Sequence, residues 1–231
     1  IPRTPLILVI PNTSSGIRSS GIQLKSNSAL KNMFRKDKWL SEQIAKSVYQ
    51  LKAIDLLEDN FSHDWKKFKK DHIKENYFVF SKISTNSETM YQCLEKANFK
   101  LIDTNVKFEL NNNKLSEKQQ HNDFEICFAE KKHQQAVGKI ARDNFLYSRF
   151  HLDPLIDNDI ANQIKQNWAK NYFFGKRGNE MVLALVHNEP VGFLQLIIKE
   201  KELFIDLIGV DKIAQGRGVA SSMIQFASTN I

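Results

Sequence analysis

Near one end of the chain an apolar strand runs through a glycine-bearing turn straight into a helix: Leu203-Phe-Ile-Asp-Leu-Ile-Gly-Val-Asp-Lys-Ile-Ala-Gln-Gly-Arg-Gly-Val-Ala220, followed by Ser-Ser-Met-Ile-Gln-Phe-Ala227. Gly216 and Gly218 lack a Cβ, so the backbone there can take left-handed angles and come close to a ligand. The N–H groups of such a turn, backed by the positive end of a helix dipole, bind phosphate oxygens. Arg217 adds a fixed cationic fork, and Ala220 and Ser221 open the helix without crowding. Val219, Met223, Phe226 and Ala227 recur at spacings of three and four, which is a core-facing helical stripe.

Two familiar phosphate loops fail against this segment. A Walker loop requires Lys-Ser or Lys-Thr after its last glycine, and here Val219-Ala220 follows. The dinucleotide fingerprint requires three glycines and an acidic residue about 20 positions on. This turn has two glycines, and the sequence runs only 11 residues past Ala220. A tight strand-to-helix turn with no ligand is the plain alternative.

The pattern resembles the coenzyme A loop of the GNAT superfamily of N-acetyltransferases, Gln/Arg-x-x-Gly-x-Gly/Ala, matched here as Gln215-x-x-Gly218-x-Ala220. The resemblance implies acetyl-CoA as cofactor. Backbone groups of Ile208, Gly209 and Val210 would pair with the pantetheine arm, and Gln215, Gly216, Arg217, Gly218, Val219, Ala220 and Ser221 would hold the pyrophosphate.

The preceding sequence fits the same fold. Strand patterns at 124–129, 181–186, 191–198 and 203–210 and helical patterns at 132–144 and 159–172 give the order β-α-α-β-β-β-α. This resembles the first two-thirds of the acetyltransferase fold, an α/β domain with a mixed α+β sheet. The family continues past this helix with a further strand, a helix whose Tyr commonly acts as acid, and a hairpin. The expectation is therefore a sheet cut after the cofactor helix, or completed by another chain, with no Tyr acid assignable; Tyr147 and Tyr172 lie in the wrong elements.

A polar stretch without periodicity, 111–123, reads as a linker. Before it, residues 1–110 read as a smaller α/β domain, with strands at 6–10, 77–83 and 101–110 and a helix at 86–97. The strand-helix-strand run 83–102 resembles the end of an acetyltransferase domain, which suggests a partial N-terminal copy of that fold. The unit Leu94-Glu-Lys-Ala-Asn-Phe99, Ser148-Arg-Phe150, Trp168 with Asn171, and Arg177-Gly178 are similar to sugar-nucleotide acetyltransferases of the TDP-fucosamine type. The acceptor implied is the amine of a nucleotide-linked amino sugar. A peptide or other small amine, and a non-catalytic acyl-CoA-binding module, are the alternatives.

Acyl transfer to an amine requires a bound thioester, a deprotonated amine and stabilisation of an oxyanion. Asp206 is the one carboxylate inside the strand 203–210; flanked by Ile205 and Leu207, it reads as a general base, with a solvent-facing or capping role as the alternative. Arg149, His151 and Asp153 lie in the irregular stretch 145–157, where this fold places substrate contacts.

The net charge of +7 lies mostly in residues 1–123, which hold 20 basic against 14 acidic residues, densest at Asp64-Trp-Lys-Lys-Phe-Lys-Lys70. Lysines alternating with Trp65 and Phe68 describe the exposed face of an amphipathic helix rather than a nucleic-acid patch, and they also attract anionic substrates. Cys93 and Cys127 have no metal-ligand spacing and read as reduced core residues. No apolar run approaches the roughly 18 residues of a membrane span. These features together suggest a soluble cytoplasmic protein without a metal, with a homodimer left open.

Overall fold

The computed structural model describes residues 4–9, 33–52, 58–72, 76–109, 123–200 and 202–231. The chain divides into two compact units, Ile1–Phe108 with Ser148–Ile156, and Glu109–Tyr147 with Asp157–Ile231. The polar stretch 111–123 lies outside the described residues except for Asp123.

The first unit comprises β1 (Thr4–Val9), β2 (Phe34–Lys36), α1 (Lys38–Ile44), β3 (Ser47–Lys52), α2 (Glu58–Asp71), β4 (Tyr77–Ile83), α3 (Glu88–Lys96) and β5 (Phe99–Asn105). Its sheet runs β2-β3-β4-β1-β5, parallel in every pair except β2–β3. Helix α2 exists because Phe61, Trp65 and Phe68 recur on one face, and all three are buried. Their rings stack with Phe34 and Phe99, Phe34 and Phe68 lying 4.0 Å apart. The lysines between them point to solvent, as the pattern predicts. Helix α3 stops at Ala97, and Asn98 takes the left-handed conformation, φ 70°, so that Phe99 can turn into the core.

The second unit comprises β6 (Glu125–Phe128), α4 (Gln134–Asn144), α6 (Asn158–Lys170), β7 (Glu180–Val186), β8 (Glu189–Lys199), β9 (Glu202–Val210) and α7 (Val219–Asn230). The short helix α5 (Arg149–Leu152) falls between α4 and α6 in sequence but packs with the first unit. The second sheet, β6-β7-β8-β9, is antiparallel throughout. Alternation along β7 serves two faces. Met181, Leu183 and Leu185 meet Val137, Ile140 and Ala141 of α4 and Ala169 of α6, while Val182 and Ala184 meet Val219, Met223 and Ala227 of α7. Covered on both sides, β7 reads as one continuous apolar run. His187 and Asn188, both with positive φ, close the β7–β8 hairpin.

The order of elements in the second unit matches the expected α/β architecture. Two features differ from expectation. The sequence-based count missed α1, β2 and β3, which are short or mixed in pattern. The strand-helix-strand run is β4–α3–β5, but β1 lies between its two strands in a largely parallel sheet. Its layout therefore differs from the antiparallel one of the second unit.

Helix α7 sits close on β8 because Gly192 has no side chain. A Cβ there would lie 3.0 Å from Val219 Cγ1 and 3.2 Å from Met223 Cε. We expect Gly192→Val to overpack this contact and destabilise the fold by about 1–3 kcal/mol in urea unfolding. A variant as stable as the parent would show that the helix is free to move off the sheet.

Candidate functional site

The turn between β9 and α7 is built by local hydrogen bonds. Asp211 caps the single 3₁₀ turn Lys212–Ala214 by accepting from Ile213 N–H at 3.2 Å, and Gln215 Nε2 donates to Val210 C=O at 2.9 Å. Gln215 thus ties the turn to the end of the strand. Gly216 and Gly218 have φ of 77° and 79°, in the left-handed region where a Cβ is disfavoured. Gly216 also has nothing within 4 Å of where a Cβ would sit.

Gly218 is the N-cap of α7 and supplies no capping side chain. The first helical backbone bond is from Ser222 N–H to Gly218 C=O at 3.0 Å, so the amides of Val219, Ala220 and Ser221 have no helical acceptor. Arg217 is exposed beside them, lining an open depression with Asp123, Glu125, His187 and Asn188. Ile208, Gly209 and Val210 lie on β9, which is the edge strand of its sheet among the described residues.

Asp206 is placed by a bulge. Gln195 pairs with Leu207 and Leu196 with Ile205, so Asp206 is the unpaired residue of β9. Its carboxylate, 7% exposed, accepts from four donors. Arg177 donates from Nε to Oδ2 and from Nη2 to Oδ1, both at 2.6 Å. Gln195 Nε2 donates at 2.8 Å and Trp168 Nε1 at 3.0 Å, both to Oδ2. The Arg177 guanidinium also lies 4.3 Å from the Trp168 ring centroid, and Lys165 is 4.9 Å from that ring. The strand pattern located Asp206, but Arg177, 29 residues earlier, was read only as part of a resemblance.

Residues 144–229 match the family model "Acetyltransferase (GNAT) family". The matched stretch runs from the end of α4 into the last turn of α7. Acetyltransferases of this family use acetyl-CoA. The chain is also 32% identical over 101 residues to the spore coat polysaccharide biosynthesis protein SpsD of Bacillus subtilis (strain 168), covering 44% of this chain and 35% of that protein. It therefore spans about a third of the length of that curated relative. Among solved structures, a functionally unknown conserved protein of Staphylococcus epidermidis is similar at 19% identity and a TM-score of 0.48, over 80% of this chain and 71% of that one. The paia N-acetyltransferase of Thermoplasma acidophilum, in complex with coenzyme A, is similar at 12% identity and a TM-score of 0.35, over 46% of this chain and 70% of that one.

Within the matched residues, Arg149, His151 and Asp153 all fall in 148–156, which packs with the first unit. Arg149 stacks on Phe150 and Phe80, at 4.5 and 5.6 Å, and Ser148 Oγ lies 2.7 Å from His151 Nδ1. Asp153 is buried; its Oδ1 accepts from Leu155 N–H at 2.9 Å, while Lys46 donates to Leu155 C=O. Burial pushes the Asp153 carboxyl above its ordinary value, against the opposing pull of Leu155 N–H and Lys46. Packing around Phe150 and Asp153 keeps this stretch with the first unit, whereas the sequence reading placed it with the second. Among the described residues no group of His, Cys, Asp and Glu is arranged to hold a metal, and no helix is long and apolar enough to cross a membrane.

Removing Arg177 leaves a largely buried carboxylate without its cation. Arg177→Met should cost about 1–3 kcal/mol, the lower side of the range for buried pairs because Arg177 is 39% exposed. Adding Asp206→Asn should recover part of that loss in a double-mutant cycle, and purely additive losses would show that the pair does not couple. Asp153 carries a carboxyl that burial pushes up. Its raised folded value means its contribution to stability is present at low pH and lost as pH rises through that value. The melting-temperature advantage of Asp153→Asn, which keeps an acceptor for Leu155, should be larger at about pH 7 than at about pH 4; a gap that widens on acidification would contradict this.

Proposed function

We propose that the chain binds acetyl-CoA along β9 and the Gln215–Ser221 turn and transfers its acetyl group to the amine of a small molecule, a nucleotide-linked amino sugar. The observation that carries the cofactor half is the turn itself. Two positive-φ glycines precede a 12-residue helix whose first amides have no helical acceptor. The site suits a pyrophosphate. Its donors are backbone amides, its side chains at Gly216, Gly218 and Ala220 are small, and Arg217 supplies charge. The backbone of Ile208 to Val210, on the edge strand, suits the amides of a pantetheine arm.

When bound, the thioester supplies an activated acetyl carbon: attack by the neutral amine forms the C–N bond, breaks C–S and releases the thiol, and the amine proton passes to a base. Asp206 fits that base role poorly. Arg177, Trp168 and Gln195 direct four donors at its carboxylate, three to Oδ2 and one to Oδ1, and the Arg177 guanidinium favours its ionised, acceptor-only form. We assign Asp206 instead to positioning Arg177 and Trp168. The substrate half follows the SpsD relative, whose name places it in polysaccharide biosynthesis, and the short anchors Ser148–Phe150, Trp168 and Arg177–Gly178. With Asp206 occupied, acyl-CoA binding without turnover is the second reading.

Calorimetric titration of the full chain with acetyl-CoA should show one-site binding that Gly218→Trp abolishes. Thiol release should then appear with nucleotide-linked amino sugars and not with peptide amines. Absence of binding at millimolar ligand would remove the cofactor reading, and release with peptides alone would remove the substrate reading. Binding with no thiol release from any amine favours the non-catalytic module.

A further inference from the structure

A second cleft, of about 500 Å³, lies in the first unit between α2 and α3, and no residue of the glycine turn lines it. Lys66 and Lys69 of α2 and Lys96 of α3 line it, together with the neutral polar side chains of Ser62, Thr89 and Asn98. Among the described residues no carboxylate lines it. Two lysines elsewhere do pair with a carboxylate, Lys132 with Glu130 and Lys139 with Asp143, each at 3.1 Å. Among the described residues Lys66, Lys69 and Lys96 have no such partner. Lys69 lies over the Trp65 ring at 5.5 Å, which fixes one cation at the wall of the cleft.

Three like charges facing one concavity repel one another, and a bound anion relieves that repulsion. Trp65 also forms part of the wall. Trp65 is 4% exposed and its indole Nε1–H has no hydrogen-bond partner among the described residues, a state that ordinarily costs about 1–3 kcal/mol. Cations and neutral donors without acidic competitors make a site for a compact anion with several acceptor oxygens. The volume is that of a small-molecule site, and its walls are two helices of a folded unit.

We infer that this cleft binds a small ligand through a phosphate or diphosphate group. The inference does not rest on acetyl-CoA binding, since it concerns the other unit of the chain. Inorganic pyrophosphate is the probe, titrated calorimetrically into the full chain at low salt. Lys66→Gln/Lys69→Gln/Lys96→Gln should weaken binding about tenfold or more, the loss expected from three charge-assisted contacts. The control Lys67→Gln/Lys70→Gln/Lys100→Gln removes the same charge from exposed positions outside the cleft lining and should change binding less than about threefold. All six positions are exposed, so both variants should keep the parent melting temperature.

Equal weakening in the two variants would reduce the effect to net charge and overturn the site. So would pyrophosphate binding that survives the first triple variant, or that is lost in Gly218→Trp, since either assigns the anion to the glycine turn. A single-stranded oligonucleotide that displaces pyrophosphate and binds more tightly at physiological salt would also overturn it in favour of a nucleic-acid surface.

Discussion

The carboxylate of Asp206 ties together more of the second unit than any other single group described. Through one bulge it joins β9 to Gln195 of β8, to Trp168 of α6 and to Arg177 in the loop before β7. A regular strand would turn Asp206 away from Leu207, which faces α4 and α6; the bulge lets both residues share that side. Without it, neither Arg177 nor Trp168 would have its acceptor. The strand that would hold a pantetheine arm is thus fixed by a polar contact on one face of the sheet and by α7 packed through Gly192 on the other.

These two supports were unequally legible in the sequence. The glycine turn could be read because its requirements are local: positive φ at Gly216 and Gly218, small residues after them, and a helical stripe beginning at Val219. The same holds for Asn98, whose left-handed conformation makes sense of Leu94-Glu-Lys-Ala-Asn-Phe99 as a helix end. The Arg177–Asp206 pair could not be read in this way. It depends on which residue of β9 is left unpaired, a property of the register with β8. From the strand pattern alone Asp206 looked like a buried carboxylate seeking a proton; in the fold its carboxylate accepts three hydrogen bonds on Oδ2 and one on Oδ1.

The first unit shows the same division. Its buried aromatic face was visible in the spacing of Phe61, Trp65 and Phe68. Its topology was not, because β1 enters the sheet between β4 and β5 from far along the chain. The short strands β2 and β3 flank a seven-residue helix and carry too few residues for a period to emerge. Likewise, the lysines of α2 were legible as a solvated face, while the addition of Lys96 from α3 to the same cleft required the two helices to be packed side by side.

On the two proposals, charge separates two tasks that a single basic patch would confuse. At the glycine turn the donors are backbone amides, which are fixed in direction and do not depend on pH; Arg217 is the only lysine or arginine between Asp211 and Ile231 besides Lys212. In the α2–α3 cleft the donors are mainly flexible ammonium groups, whose attraction weakens steeply with salt. Binding at the turn should therefore be comparatively insensitive to ionic strength and sensitive to glycine geometry, and binding in the cleft the reverse. The contrast follows from backbone against side-chain recognition, and it holds whether or not the same phosphorylated molecule serves both sites.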